Sequence, residues 1–415
     1  MSLSPHLHSF ARPAARPEEF LCIERAEGST VWDSDGRAYV DAMASLWYCN
    51  VGHGRREIID AVTEQLGRLD AFHTLDMFTN PAAELFSELV VERMPVPGAR
   101  VLLTSSGSEA VDSAVKLARV RPSLAGEPGR QLVVGRRHAY HGVTYGGLSV
   151  QGLPANQEHF GPLLDLTHRI ETEGADELAD LEVLFAARGH EIAAVITEPV
   201  QGAGGVRPPA PGFLERLREL CDAHGALLVF DEVITGFGRL GAWSGAEVFG
   251  VEPDLITFAK GCSSGYQPLG GVVVGRRVLD VIEADPDFVL RHGFTYSGHP
   301  AACAAGIANI GVLQDDALFD RVPHIARRLG GGLASLVDDG VLAGHRGIGG
   351  MWAGLLPEGL APVAVRAAMI ERGVIARPIG ADVIAFCPPL VISDDEVDRC
   401  LEALVESVVE VAAAS

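Results

Sequence analysis

Only two of the 33 Lys and Arg residues in this 415-residue chain are lysines, Lys116 and Lys260. A chain that uses arginine wherever a plain positive charge suffices keeps lysine for what arginine cannot do. A guanidinium stays protonated, whereas a lysine amine can lose its proton and attack a carbonyl. Lys116 has an ordinary explanation. It lies four residues after Asp112 in a segment of helical pattern, a spacing that favours an ion pair. Lys260 has none. It follows the apolar run Leu255-Ile-Thr-Phe-Ala259 and precedes the small, flexible stretch Gly261-Cys-Ser-Ser-Gly265. An amine at the end of a buried strand is costly unless it is paired or used. We read Lys260 as a Schiff-base lysine and Lys116 as structural.

Ligands of open α/β sheets gather at the carboxyl ends of strands. The unusual residues of this chain fall at five such ends: Ser105–Glu109, Arg136–Gly142, Glu198–Gly205, Asp231–Arg239 and Lys260. Ser106-Gly107-Ser108 opens a helix, and Ser106 with Glu109 fits the spacing of a reciprocal cap. Free amides there, beside a glycine that permits close approach, form a phosphate cradle; a plain helix cap is the alternative. Asp231 can hold a protonated ring nitrogen and keep an electron sink cationic, or it caps the next turn. Tyr140 and Val233 can press the two faces of an aromatic cofactor, although a core aromatic is the usual tyrosine role. His141 either orients its neighbours or is a satisfied core histidine. Convergence on one lysine says more than any single motif.

The elements that must position these residues can be read from the periodicity. Apolar runs at Val101–Thr104, Gln131–Gly135, Ala193–Thr197, Ala226–Phe230, Leu255–Ala259 and Val272–Val274 alternate with helical patterns at 108–120, 176–188 and 211–224. That alternation predicts an α/β unit with a mainly parallel sheet. Thr30–Asp41 predicts a hairpin turning at Asp35-Gly36, and 57–94 reads as mostly helical. Beyond Pro300, two helical stretches, short strands near 351–355 and 383–386, and a closing helix at 393–413 describe a smaller α+β domain.

Bulk properties narrow the function. A net charge of −22 makes nucleic acid and anionic membrane poor partners. No apolar run approaches a membrane span, and no apolar leader opens the chain. Seven scattered cysteines without a C-x-x-C pair read as reduced thiols of a cytoplasmic protein. No histidine spacing suggests a metal.

The ordered set SSGSEAVDSAVKLAR, YHG, TEPVQGAGGV, LLVFDEVITGFGRLG, ITFAKG and FTYSGHP resembles the class III, ornithine-aminotransferase-like group of fold type I pyridoxal-phosphate enzymes. The resemblance covers nearly the whole chain. It implies pyridoxal 5'-phosphate bonded to Lys260, which also shuttles the proton, with Asp231 on the pyridine nitrogen. Ser106, Gly107 and Ser108 hold the phosphate, Tyr140 and Val233 sandwich the ring, and His141 and Glu198 stand beside it. Thr295 reaches the phosphate of a neighbouring subunit, which implies a homodimer. The expected organisation is an arm and part of the small domain over 1–55, the large cofactor-binding domain over 56–312 and the C-terminal small domain over 313–415.

A narrower similarity is to omega-transaminases that use pyruvate. Ser45–Gly54 resembles their pocket-lining segment, with Trp47 on the substrate side. Val374–Gly380 and Phe386–Ile392 resemble the stretch carrying their mobile carboxylate-binding arginine, here Arg377. Where ornithine- and 4-aminobutyrate-type relatives have a glutamate that neutralises this arginine, the chain has Ala203. The reading is an aminotransferase that moves an amino group from an amine or omega-amino acid to a 2-oxo acid, pyruvate above all, in a ping-pong cycle. A glutamate-1-semialdehyde-type aminomutase and a dialkylglycine-type decarboxylase share the lysine, aspartate and cradle and stand as alternatives. The amine is not named. Asp76 is placed either on a distal ammonium or at a helix start.

Overall fold

The computed structural model describes residues 4–414. The expected hairpin forms. β1 (Ile23–Glu27), β2 (Thr30–Asp33) and β3 (Ala38–Asp41) pair antiparallel. Asp33 Oδ1 accepts the amides of Asp35 and Arg37 to close the turn, where Gly36 takes a φ of +81° that side chains disfavour.

The central sheet contains β4 (Arg100–Thr104), β5 (Leu132–Arg136), β6 (Thr167–Ile170), β7 (Ile192–Thr197), β8 (Leu227–Asp231), β9 (Leu255–Phe258) and β10 (Gly270–Val274), in the order β4-β10-β9-β8-β7-β5-β6. β10 runs antiparallel to both of its neighbours; the remaining pairings are parallel. Every residue of β7, β8 and β9 is buried, which is why these strands read as unbroken apolar runs. Their side chains still alternate. Val133, Ile196, Val229, Leu255 and Val272 face the helix Gly107–Leu124, whereas Val134, Val195, Phe230, Ile256 and Val273 join the core on the other side. Each such side chain contributes about 1.5–3 kcal/mol by leaving water. Edge strand β6 was missed, because Thr167-His-Arg-Ile buries one residue of four and so carries little apolar signal.

The C-terminal strands are β11 (Gly344–Ile348), β12 (Met351–Leu355), β13 (Val374–Ile375), β14 (Arg377–Ile379) and β15 (Val383–Phe386). Four of them form the antiparallel sheet β11-β12-β15-β14, while β13 leaves it to run parallel to β3. The two ends of the chain are thereby hydrogen-bonded together.

One local expectation is refined and two are corrected. Residues 57–94 form two helices, Arg56–Arg68 and Pro81–Val91, because Asn80 Oδ1 caps Ala83 N at 2.9 Å and Pro81 occupies the first helical position. Asp76 lies in the irregular stretch between them, exposed and at φ +61°, so it starts no helix. Asp112 does not pair with Lys116. Its Oδ1 accepts Gly147 N at 2.9 Å, near the start of the helix Tyr145–Val150, and Lys116 Nζ instead meets His292 Nδ1 at 2.8 Å. Among the described residues, no helix is long and apolar enough to cross a membrane.

Candidate active site

The carboxyl ends of β5, β7, β8 and β9 and the amino end of the helix Gly107–Leu124 surround a cavity of about 160 Å³. Lys260 lines it. The chain turns sharply there, with Lys260 at φ +49° and a short 3-10 turn over Lys260–Cys262. Among the described residues its Nζ has no hydrogen bond or ion pair. Burial pulls the amine below its usual range, opposed by the charges of Asp231 and Glu198. An unpaired amine biased toward its neutral form suits attack on a carbonyl carbon.

Asp231, at the end of β8, is 4% exposed. Its Oδ1 accepts Val233 N at 3.2 Å and Thr257 Oγ1 at 3.0 Å, and its Oδ2 lies 2.8 Å from His141 Nδ1. His141 is therefore joined to Asp231, and its own Nε2 is buried without a partner. Glu198, at the end of β7, accepts Tyr140 N at 2.9 Å and Gly202 N at 2.8 Å. Burial pushes its carboxyl up to about 7, with His141 pulling it down and Asp231 pushing it further up. Arg136, at the end of β5, stiffens this rim. It is buried, pairs with Glu177, donates to Thr197 Oγ1 at 2.7 Å and lies over the Phe213 ring.

Ser106 caps the helix, its Oγ accepting Glu109 N at 3.2 Å. The reciprocal half of the cap shifts by one residue, since Glu109 Oε2 accepts Ser105 N rather than Ser106 N. The amides of Gly107 and Ser108 are left open to the cavity's edge. A Cβ on Gly107 would meet Val233 Cγ1 at 2.9 Å, and one on Gly142 would meet Ser108 Oγ at 2.5 Å. Both glycines are what lets three strand ends close around these amides.

Tyr140, His141, Glu198 and Val233 line the same cavity, with Ile234, which sequence reasoning had not singled out. Thr257 was also missed, although a threonine inside a buried apolar strand was its signal. Trp47 and Arg377 come together beside this group. Trp47 is 3% exposed, and the half-buried guanidinium of Arg377 rests 5.8 Å above its ring centre. Arg377 also acts electrostatically on Tyr140 and Lys260. No carboxylate among the described residues pairs with it. Ala203 follows Gly202, where an added Cβ would meet the Trp47 ring at 2.6 Å. Thr295 lies apart on the exposed surface of the chain and does not line the cavity. Asp76 does not either; it lines a larger concavity of about 780 Å³ bounded by residues 74–79, 99–103 and 292–297, which holds none of the ionisable cluster.

An open α/β sheet whose strand ends present an unpaired lysine, a buried aspartate and open helix amides defines a pyridoxal-phosphate enzyme. The chain belongs to the class-III aminotransferase family, whose model matches residues 12–408. It is 38% identical over 408 residues to an omega-aminotransferase of Caulobacter vibrioides, covering 92% of each chain. It is 35% identical over 435 residues to a beta-alanine–pyruvate aminotransferase of Pseudomonas aeruginosa, covering 98% of this chain and 96% of the relative. The fold superposes with a TM-score of 0.93 on an amine transaminase from an uncultivated Pseudomonas species with pyridoxal phosphate bound, at 35% identity and 99% coverage of each chain. A thermostable (S)-enantioselective omega-transaminase of Thermomicrobium roseum matches with a TM-score of 0.92 at 36% identity, covering 98% of this chain and 96% of that one. The protein is a pyridoxal-phosphate-dependent aminotransferase of fold type I, and the cradle, the free amine and the buried carboxylate fit that cofactor.

Proposed function

We propose that one pocket serves in turn an amine or omega-amino acid donor and a small 2-oxo acid acceptor of the pyruvate type, and that Arg377 reads the acceptor's carboxylate. The observation that carries this is the half-buried guanidinium held over Trp47 with no carboxylate partner. Burial pulls it below the usual arginine range, with only Tyr140 opposing. An incoming carboxylate supplies the missing partner, and a two-pronged arginine contact fixes its orientation. The names of the relatives, which include pyruvate aminotransferases, point the same way.

When bound, pyridoxal phosphate supplies an aldehyde that condenses with primary amines and a conjugated ring that accepts the electron pair released at the substrate carbon. The chain's own residues do the rest. Lys260 Nζ would hold the cofactor between turnovers, and as a free amine it would carry the proton to and from the substrate carbon. Asp231, fixed by Thr257 and His141, keeps the ring nitrogen protonated. The Gly107 and Ser108 amides hold the phosphate, and Tyr140 and Val233 confine the ring. A second copy of the chain, with Thr295 at the shared boundary, completes the phosphate site.

Arg377→Ala should weaken pyruvate by about 2–5 kcal/mol if the pair is well desolvated. An uncarboxylated donor should lose much less. Measuring the two half-reactions separately decides it. Equal loss in both, or none for pyruvate, shows that the carboxylate is read elsewhere.

A further inference from the structure

The backbone just after β3 is strained. Ala44, Ser45 and Trp47 take φ of +46°, +59° and +65°, and Ser45 has ψ −91°, close to the uncommon γ-turn with positive φ. None of the three is glycine, so the conformation persists only because something holds it. Backbone bonds from Trp47 N to Met43 O and from Tyr48 N and Cys49 N to Ala44 O close the turn, and one side-chain carboxylate ties its start. Asp41, 2% exposed, accepts Met43 N at 3.3 Å through Oδ1 and Ser45 N at 2.6 Å through Oδ2. Oδ2 is also 3.0 Å from His53 Nε2, and His53 Nδ1 is 3.5 Å from Cys49 Sγ. Burial and the Asp41 charge push the Cys49 thiol up to about 12, so the trio has the outline of a thiol catalytic site without a usable nucleophile.

Asp41 and the next residue, Ala42, also grip the acceptor side. Asp41 stands opposite Ile375 in the β3–β13 pairing, two residues before Arg377. Ala42 N donates to Ile375 O at 3.0 Å, and Ala42 O accepts Cys387 N at 2.8 Å. The side chain of Asp41 therefore sets the Trp47 turn, while the adjoining backbone sets the strand that carries Arg377.

We propose that Asp41 is a positioning residue for acceptor recognition: it holds the strained turn that places the Trp47 ring under the Arg377 guanidinium. The proposal rests on Arg377 reading the acceptor carboxylate. It explains why a polar constellation is buried where no chemistry happens. It also explains why three non-glycine residues within four positions tolerate positive φ, in a stretch that supplies no residue lining the cofactor cavity.

The test uses the holoenzyme and its two half-reactions. Asp41→Asn leaves one acceptor oxygen, which cannot serve Met43 N–H at one end of the side chain and Ser45 N–H with His53 at the other. The expected result is a rise of about tenfold in the apparent constant for pyruvate, with donor half-reaction rate and cofactor content changed less than about twofold. Made on top of Arg377→Ala, it should add little, because both act on one contact. His53→Ala loosens the same carboxylate from its partly exposed side and should shift pyruvate in the same direction by less, with His53→Gln restoring it. Equal loss in both half-reactions, or full additivity with Arg377→Ala, overturns the proposal. If Asp41→Asn does not fold, the two His53 variants decide by the same criteria. If Arg377→Ala itself leaves pyruvate untouched, the reading of Arg377 fails instead, and the two failures are thereby told apart.

Discussion

The cavity at the strand ends, the cofactor end, and the Trp47–Arg377 pair beside it, the proposed acceptor end, are built on opposite plans. At the cofactor end the two carboxylates are held in place: Asp231 has three partners and Glu198 two, and both stand at ends of central strands. At the acceptor end the guanidinium of Arg377 has no such partner, and the indole Nε1 of Trp47 is buried without one. Their backbone comes from a strained turn and a three-residue strand. The difference follows from what each end must do. The ring nitrogen and the phosphate are the same groups in both half-reactions, so fixing their partners costs nothing in versatility. On the reading proposed for Arg377, the acceptor end meets a carboxylate in one half-reaction and need not in the other, which fits a charge left without a partner.

Lys260→Arg should have the largest effect. It keeps a positive charge at the cofactor end but cannot bond to an aldehyde. Turnover should vanish, and borohydride reduction followed by peptide mapping should label Lys260 in the parent and nothing in the variant. Label on Lys116 would show that the cofactor end has been misplaced. Asp231→Asn comes next. An amide cannot hold the ring nitrogen protonated, so both half-reactions should fall together, by about a hundredfold or more. A variant with nearly the parent rate would remove Asp231 from its role.

Gly202→Ala sharpens the contrast at the other end. Its Cβ would meet Trp47 Cζ3 and Ile234 Cδ1, each at 2.6 Å, so the indole must move. Pyruvate handling should suffer by about tenfold, while the absorbance of bound cofactor stays that of the parent. A changed cofactor spectrum with intact pyruvate handling would reverse the assignment of the two ends.

The smallest effect concerns pH. Glu232 is fully buried and receives Gly245 N, Ala246 N and Thr235 Oγ1, yet burial pushes its carboxyl up to about 7 from an ordinary value of 4.5. A carboxyl raised in the folded state binds a proton that the unfolded chain has released. Its stabilisation is therefore complete below the ordinary value and is lost as pH rises through about 7, with a slope of at most about 1.4 kcal/mol per pH unit. The unfolding midpoint should fall across that window, and Glu232→Gln should flatten the fall. A midpoint that rises there would show that the three donors keep Glu232 ionised.

Much of the cofactor end was legible in the sequence. Buried parallel strands read as apolar runs, and chemistry-bearing residues stand immediately after them, so five local readings converge on Lys260. The misses have specific causes. Asp112 and Lys116 fit an ion pair by spacing, but spacing does not reveal that Gly147 N lies within reach of Asp112. The break at 69–80 was hidden because the flanking helices share a period, and only the Asn80 cap marks it. The bond from His141 to Asp231 joins two strand ends whose approach depends on sheet order, which a sequence alone does not give.

Composition, strand periodicity and motif order determined by themselves the α/β class, the lysine that stands unpaired in the cavity and the helix whose amino end opens onto it. These are properties of contiguous segments, set by burial and by local backbone preference. The tertiary structure alone decided that β13 lies beside β3 and that Arg377 rests over Trp47. Those contacts join opposite ends of the chain. No local preference encodes them; they exist because the folded core offsets the entropy of bringing such distant segments together.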